Sequence, residues 1–141
     1  MIEAPLPNAR VDSIIGLLEV LHEGDGWVDV FELGRRLLLD IDNLMPVVEA
    51  ARLLGFVQLR EADIALTEVG RAVARADILE RKDLFRRQVL RLPLVNRVLQ
   101  MIARLPSQRA KRAWLLRWLG ANMSDLWAAR TIAILVDWGR Y

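Results

Sequence analysis

The chain has 141 residues, no cysteine and a formal net charge of +2. That length suits one compact domain, and the missing thiols exclude disulfide frameworks, thiolate metal sites and cysteine nucleophiles. The apolar fraction is 54%, yet no uncharged apolar run approaches the ~20 residues of a membrane span.

The opening residues, Met1 to Asn8, carry neither a basic region nor an apolar signal core. A cytoplasmic chain is expected. The small net charge hides a division. Residues 1–70 hold five arginines against thirteen carboxylates, a net −8. Residues 71–141 hold thirteen arginines and two lysines against five carboxylates, a net +10. Two solvated faces of opposite sign would satisfy this pattern. A basic half that meets an acidic protein surface, anionic lipid or nucleic acid would satisfy it too.

A first helix is expected from about Asp12 to His22, with Val11, Ile14, Ile15, Leu18 and Leu21 on one face and Asp12 or Ser13 as cap. The stretch Glu23-Gly24-Asp25-Gly26 then turns. A second helix runs from about Asp29 to Leu38, with Phe31, Leu33 or Gly34, Leu37 and Leu38 inward. A third opens at Asp42 or Asn43, with Pro46 in its first turn and Leu44, Val47, Val48, Ala51 and Leu54 as its buried stripe. Gly55 stops it. The segments Phe56–Arg60 and Asp63–Leu66, joined by Glu61-Ala62, read as a short hairpin. Thr67 caps a helix over Glu68–Ala76. The predicted fold is mainly α. Residues 1–76 form a winged helix-turn-helix with a two-stranded wing, and residues 77–141 form a basic, Trp-rich helical half packed on it.

In that second half, Asp77–Leu92 reads as one helix with Ile78, Phe85, Val89 and Leu92 on a face and Arg81, Lys82, Arg86, Arg87 and Arg91 around the rest. Pro93 ends or kinks it. A helix from about Leu94 to Leu105 puts Val95, Val98, Leu99 and Ile102 inward. Pro106-Ser107-Gln108 is a loop, Ala110–Gly120 a third helix, and Ser124 caps a fourth that runs to about Asp137. This order resembles a degenerate second winged helix. Four of the five tryptophans lie here, and Trp114 and Trp118 share one helix face.

A winged helix suggests DNA, but its reading elements need Arg, Lys, Asn or Gln aimed at base edges and cations for phosphates. The third helix carries Asp42, Glu49 and one arginine, Arg52, and the wing sets Arg60 against Glu61 and Asp63. Both elements are net acidic, so phosphate repulsion opposes docking. No phosphate-binding glycine loop with its lysine exists. The sole histidine, His22, suits the end of the first helix. The pairs Asp40/Asp42 and Glu61/Asp63 suit caps and turns, without the apolar setting that splits two carboxylate pKa values. No catalysis, cofactor or metal is expected.

Six collinear blocks carry a family resemblance: Pro5–Arg10 (PLPNAR), Asp42–Phe56 (DNLMPVVEAARLLGF), Asp63–Arg71 (DIALTEVGR), Ala76–Phe85 (ADILERKDLF), Leu92–Val95 (LPLV) and Asp137–Tyr141 (DWGRY). Together they resemble the AAA-associated C-terminal domain. That domain is found behind the ATP-binding subunit of ABC importers of the nitrate, sulfonate and taurine class. Residues Ser107–Ala128 depart most from the pattern. The resemblance implies an accessory, regulatory domain whose partner is an ABC transporter ATP-binding subunit or domain, placed at the inner face of the membrane through that complex. It also implies an excised domain or a stand-alone copy.

Arginine and tryptophan are the residue types that anchor interfaces, so Arg86, Arg87, Arg91, Trp114, Arg117 and Trp118 form the candidate interaction surface. A homodimer that sets the acidic half against the basic half is a further expectation. The alternatives are a DNA-binding transcription regulator and an oxyanion sensor built on Arg86, Arg87 and Arg91.

Overall fold

The structure, a computed structural model, describes residues 6–24, 26–107, 109–121 and 123–141. Expectations for Pro5, Asp25 and Gln108 therefore lie outside the described residues. The elements in chain order are α1 (Val11–Glu23), β1 (Val28–Asp29), α2 (Val30–Leu37), α3 (Ile41–Leu53), β2 (Val57–Arg60), β3 (Asp63–Leu66) and α4 (Glu68–Arg75). They continue with α5 (Ile78–Val89), α6 (Pro93–Ala103), α7 (Arg112–Gly120) and α8 (Asp125–Arg140). The fold is mainly helical with one small antiparallel sheet, ordered β1-β3-β2.

The expected hairpin forms, with Leu59 opposite Ile64 and Val57 opposite Leu66. Glu61 turns it with a φ of 56°. Strand β1 is an addition: Val28 pairs with Ile64, and the Val30 N–H donates to the Ala62 carbonyl at 2.8 Å. Two residues are too few to show a strand's alternation in sequence.

The α3 stripe is buried as expected, from Leu44 through Val47, Val48 and Ala51 to Leu54. Helix α1 packs against both α3 and α4. Its buried face is correspondingly wide and adds Leu17 to Ile14, Leu18 and Leu21.

Several local expectations are corrected. Helix α3 is capped two to three residues earlier than Asp42 or Asn43, because the Asp40 carboxylate accepts the Asn43 N–H at 2.9 Å. Pro46 consequently lies in the second turn. Its missing donor costs the bond to the Asp42 carbonyl, on an exposed residue that water can serve. Neither Asp12 nor Ser13 caps α1. The Val11 N–H donates instead to Asp137 Oδ2 of α8 at 2.8 Å, across 126 positions of sequence. Asp29 belongs to β1 and caps α2, accepting from the N–H groups of Phe31 at 2.8 Å and Glu32 at 3.1 Å. The long helix expected to reach Leu92 stops at Val89, since Leu92 is extended before Pro93, which opens α6 at its first position. Helix α8 passes Gly139 and ends at Arg140.

Four apolar residues expected inside are outside: Phe31 is 62% exposed, Leu38 91%, Ile78 72% and Leu99 46%. On α2 the buried side is Val30, Leu33 and Gly34. Eight residues hold both an apolar core face and a second apolar stripe, so periodicity alone could not choose between them. Leu38 follows the helix in left-handed conformation, with φ 57° and ψ 38°.

The hairpin is locked to α4 at Gly70. A Cβ there would stand 1.8 Å from the Phe56 carbonyl oxygen. Thr67 completes the lock: its hydroxyl donates to the Gly55 carbonyl at 2.6 Å and accepts the Gly70 N–H at 3.0 Å. The clash at Gly70 is with backbone and cannot relax by rotamer change. Gly70→Ala should therefore destabilise the fold by about 3 kcal/mol or more, read as a lower midpoint of urea unfolding at unchanged slope. Leu38→Asn should move the midpoint the other way, by up to about 1 kcal/mol, because Asn tolerates the left-handed region.

Candidate functional site

The two halves of the chain meet at the start of α5. Asp77 caps that helix, accepting the Glu80 N–H at 2.8 Å. One turn on, Arg81 folds back over the end of α4. Its guanidinium donates to the carbonyls of Val73 and Ala74, both at 3.0 Å, and pairs with Glu19 of α1 at 3.4 Å. Arg81 was expected on the solvated face; it instead donates to carbonyls at the C-terminal end of α4, adding to the Ala76 N–H that the Val73 carbonyl accepts at 3.3 Å.

Phe85 follows on the same face. Its ring lies 5.6 Å from that of Phe56, 6.3 Å from Trp138 and 5.2 Å from Tyr141, the last two edge-on. The Trp138 indole N–H donates to the Ala9 carbonyl at 2.9 Å, so its one polar atom is satisfied where it is buried. Trp138 is core, as is Leu119 of α7.

From this junction α5 and α6 diverge from α8. Between them opens an apolar groove of about 710 Å³. Its walls include Phe85 and Val89 of α5, Val95 and Val98 of α6, and Ile132 and Trp138 of α8. Packed cores hold few voids larger than a water molecule, whereas a cleft of this volume is typical of a binding site. The edges differ in character. Lys82 and Arg86 of α5 stand on one side, with Lys82 Nζ 5.7 Å from the centre of the Tyr141 ring. Leu99 of α6 and Val136 of α8, both part-exposed, lie on others. The position of Leu99 explains its exposure: it faces the groove rather than a neighbouring helix.

Of the six residues in the expected interaction surface, Arg86 lines this groove and the other five lie outside its lining. Arg87 pairs with Asp83 at 2.8 Å, and Arg91 donates to the Gln88 side chain at 3.5 Å. Arg117 is exposed on α7, while Trp114 and Trp118 are half-buried there, Trp118 against the core. Lys82, Leu99, Val136 and Tyr141 were not foreseen as site residues. The one available signal was Lys82, a helical turn from Arg86. Among the described residues, no group of three His, Asp or Glu side chains could hold a metal ion. No helix among them is long and apolar enough to cross a membrane.

Residues 31–141 match the family model of the C-terminal AAA-associated domain. The chain belongs to that family. Comparison with curated proteins and with solved structures found no match. The family segment runs from Phe31 in α2 to Tyr141, so it contains the groove and the hairpin whole, and the Arg81 junction except for Glu19 of α1.

In this AAA-associated domain the groove carries its own reporter. Tyr141 is the sole tyrosine. Burial pushes its phenol above the ordinary value; Arg81 opposes this and Glu19 adds to it. An unfolded phenol titrates near ~10. Tyr141 therefore contributes stability that is complete below that pH and is lost as pH rises through the folded value. Tyrosinate absorbance should show a midpoint above ~10 in the folded protein and a return to ~10 in urea. Tyr141→Phe should remove this part of the alkaline loss of stability.

Proposed function

We propose that this chain is a non-catalytic accessory domain that regulates the ATP-binding subunit of an ABC-type anion importer. The observation that carries the reading is the family match over residues 31–141. In this reading α1 to α4 form a winged helix, with α3 as the helix that would read DNA and β2–β3 as the wing. Its chemistry supports a protein partner. The exposed surface of α3 offers Asp42 and Asn43, and the one arginine there, Arg52, is held by Glu49 at 2.7 Å. The carboxylates that might suggest catalysis serve the backbone or solvent: Asp40 caps α3, and Glu61 sits exposed in the hairpin turn.

The docking surface of the proposal is the basic half, centred on α7. That helix carries Arg112 and Arg117 and no carboxylate, with Trp114 half-buried between them in sequence. Arginine beside part-exposed tryptophan is the side-chain chemistry of an interface anchor. The absence of a bound cofactor in function, and a place at the inner membrane face through the transporter, belong to the same proposal.

The test is direct. The purified chain is added to the ATP-binding subunit and ATP hydrolysis and binding are followed together. Binding at micromolar concentration with at least a twofold change in hydrolysis rate is expected. Arg117→Glu should weaken that binding about tenfold or more with the thermal unfolding midpoint unchanged. A subunit that neither binds the chain nor changes its turnover would overturn the proposal.

A further inference from the structure

The groove is an uncovered apolar surface with a basic edge, and another uncovered apolar surface carries the opposite charge. The second lies on the acidic half. Phe31 in the first turn of α2 and Leu38 just past its end are both strongly exposed, at 62% and 91%. Trp27 and Ile41 flank them in sequence and are also exposed, Trp27 with the guanidinium of Arg60, a cation from outside the segment, 4.2 Å from its ring centre. Around them stand Asp29, Glu32, Asp40 and Asp42 against Arg35 and Arg36, and both of those arginines are drawn onto Glu32. Three carboxylates are left without a cation from this segment.

Leu38 is the most telling residue of the patch. A left-handed position after a helix is ordinarily filled by Gly or Asn. Here it holds a leucine whose side chain points into solvent. Strain and apolar exposure at one site are both unfavourable for an isolated monomer, and both are explained if the side chain is a contact.

We infer that the groove between α5, α6 and α8 receives the Phe31–Leu38 face of a second copy of this chain, head to tail. The sizes agree. Phe31 and Leu38 lie about 10 Å apart along α2, within the ~18 Å length of the twelve-residue α5 that forms one wall. The charges agree as well: Lys82 and Arg86 stand on the groove edge, where the carboxylate of Asp83 is held by Arg87 at 2.8 Å, and Asp29, Asp40 and Asp42 lie beside the patch. The whole chain repeats this complementarity, at −8 for residues 1–70 and +10 for residues 71–141.

The symmetric alternatives fail on charge. Groove against groove would bring two net-basic edges together, since Asp83 there is already paired with Arg87, and patch against patch would oppose two net-acidic ones. Because the two surfaces differ, each contact leaves one groove and one patch free. Assembly then grows past the dimer or closes as a ring. This inference concerns a different surface from the α7 face and does not rest on the ATPase proposal.

Analytical ultracentrifugation of the full chain tests it. The weight-average mass should exceed the 16.1 kDa monomer, rise with concentration, and fall when salt is raised from ~0.05 to ~0.5 M, as screened charge pairs require. Two double variants at exposed positions then separate the surfaces: Phe31→Ser with Leu38→Asn removes the patch, and Arg86→Glu with Leu99→Glu spoils the groove. Each variant alone should stay monomeric, with circular dichroism of the wild type. An equal mixture should form a one-to-one heterodimer, because one partner keeps a groove and the other a patch. The inference is overturned by a wild-type monomer at every concentration, by self-association of either variant, or by a mixture that stays monomeric. A groove that serves a helix of another protein or a small amphiphile would give the first of these results.

Discussion

Phe85 stands where the two halves of the chain join, and the positions of the other elements follow from its contacts. Its ring touches Phe56 at the start of the hairpin, Trp138 on the last helix and Tyr141 at the end of the described chain. Each aromatic side chain buries ~150–250 Å² and prefers tilted or edge-on neighbours, so one cluster sets both distance and angle between elements. Trp138 extends the link to Ala9 through its indole N–H, and Asp137 beside it accepts the first N–H of α1. Helix α8 is thereby tied to residues near the beginning of the chain.

The same junction accounts for the groove. Arg81, one turn before Phe85, fastens the start of α5 to the carbonyls of α4 and to Glu19. With α5 held at that end and α8 held by Trp138, α6 is left to follow the break at Leu90–Leu92. Asn96 steadies that break by donating to the Leu90 and Leu92 carbonyls at 2.7 and 3.3 Å. The apolar sides of α5 and α8 meet at Phe85 and Trp138, and beyond that contact α5, α6 and α8 face a common space. The opening is thus a product of well-anchored helices, and its basic edge comes from the exposed flank of α5.

Much of the fold was legible because the signals were local. Thr67 and Ser124 cap the helices that follow them, as short polar side chains before an apolar run should. The five-residue stripe of α3 is buried from end to end. The errors cluster where one helix carries two apolar stripes. On α2, Phe31 and Leu38 competed with Val30 and Leu33, and the latter pair faces the core. On α5, Ile78 shares a helix with Phe85 yet extends past the last neighbour that would cover it. The candidate surface was legible only in part, since Arg86 alone of its six residues reaches the groove.

By itself the sequence determined the helix and hairpin order, the caps at Thr67 and Ser124, the division of charge and the family, because these rest on neighbours within a few residues or on a linear pattern of types. Tertiary structure alone decided that Asp137 serves α1, that Arg81 is half-buried, and that Leu99 borders an opening. Periodicity states which side of a helix is apolar. Whether another element covers that side depends on residues distant in sequence, and in this protein the groove and the Phe31 side of α2 are left uncovered.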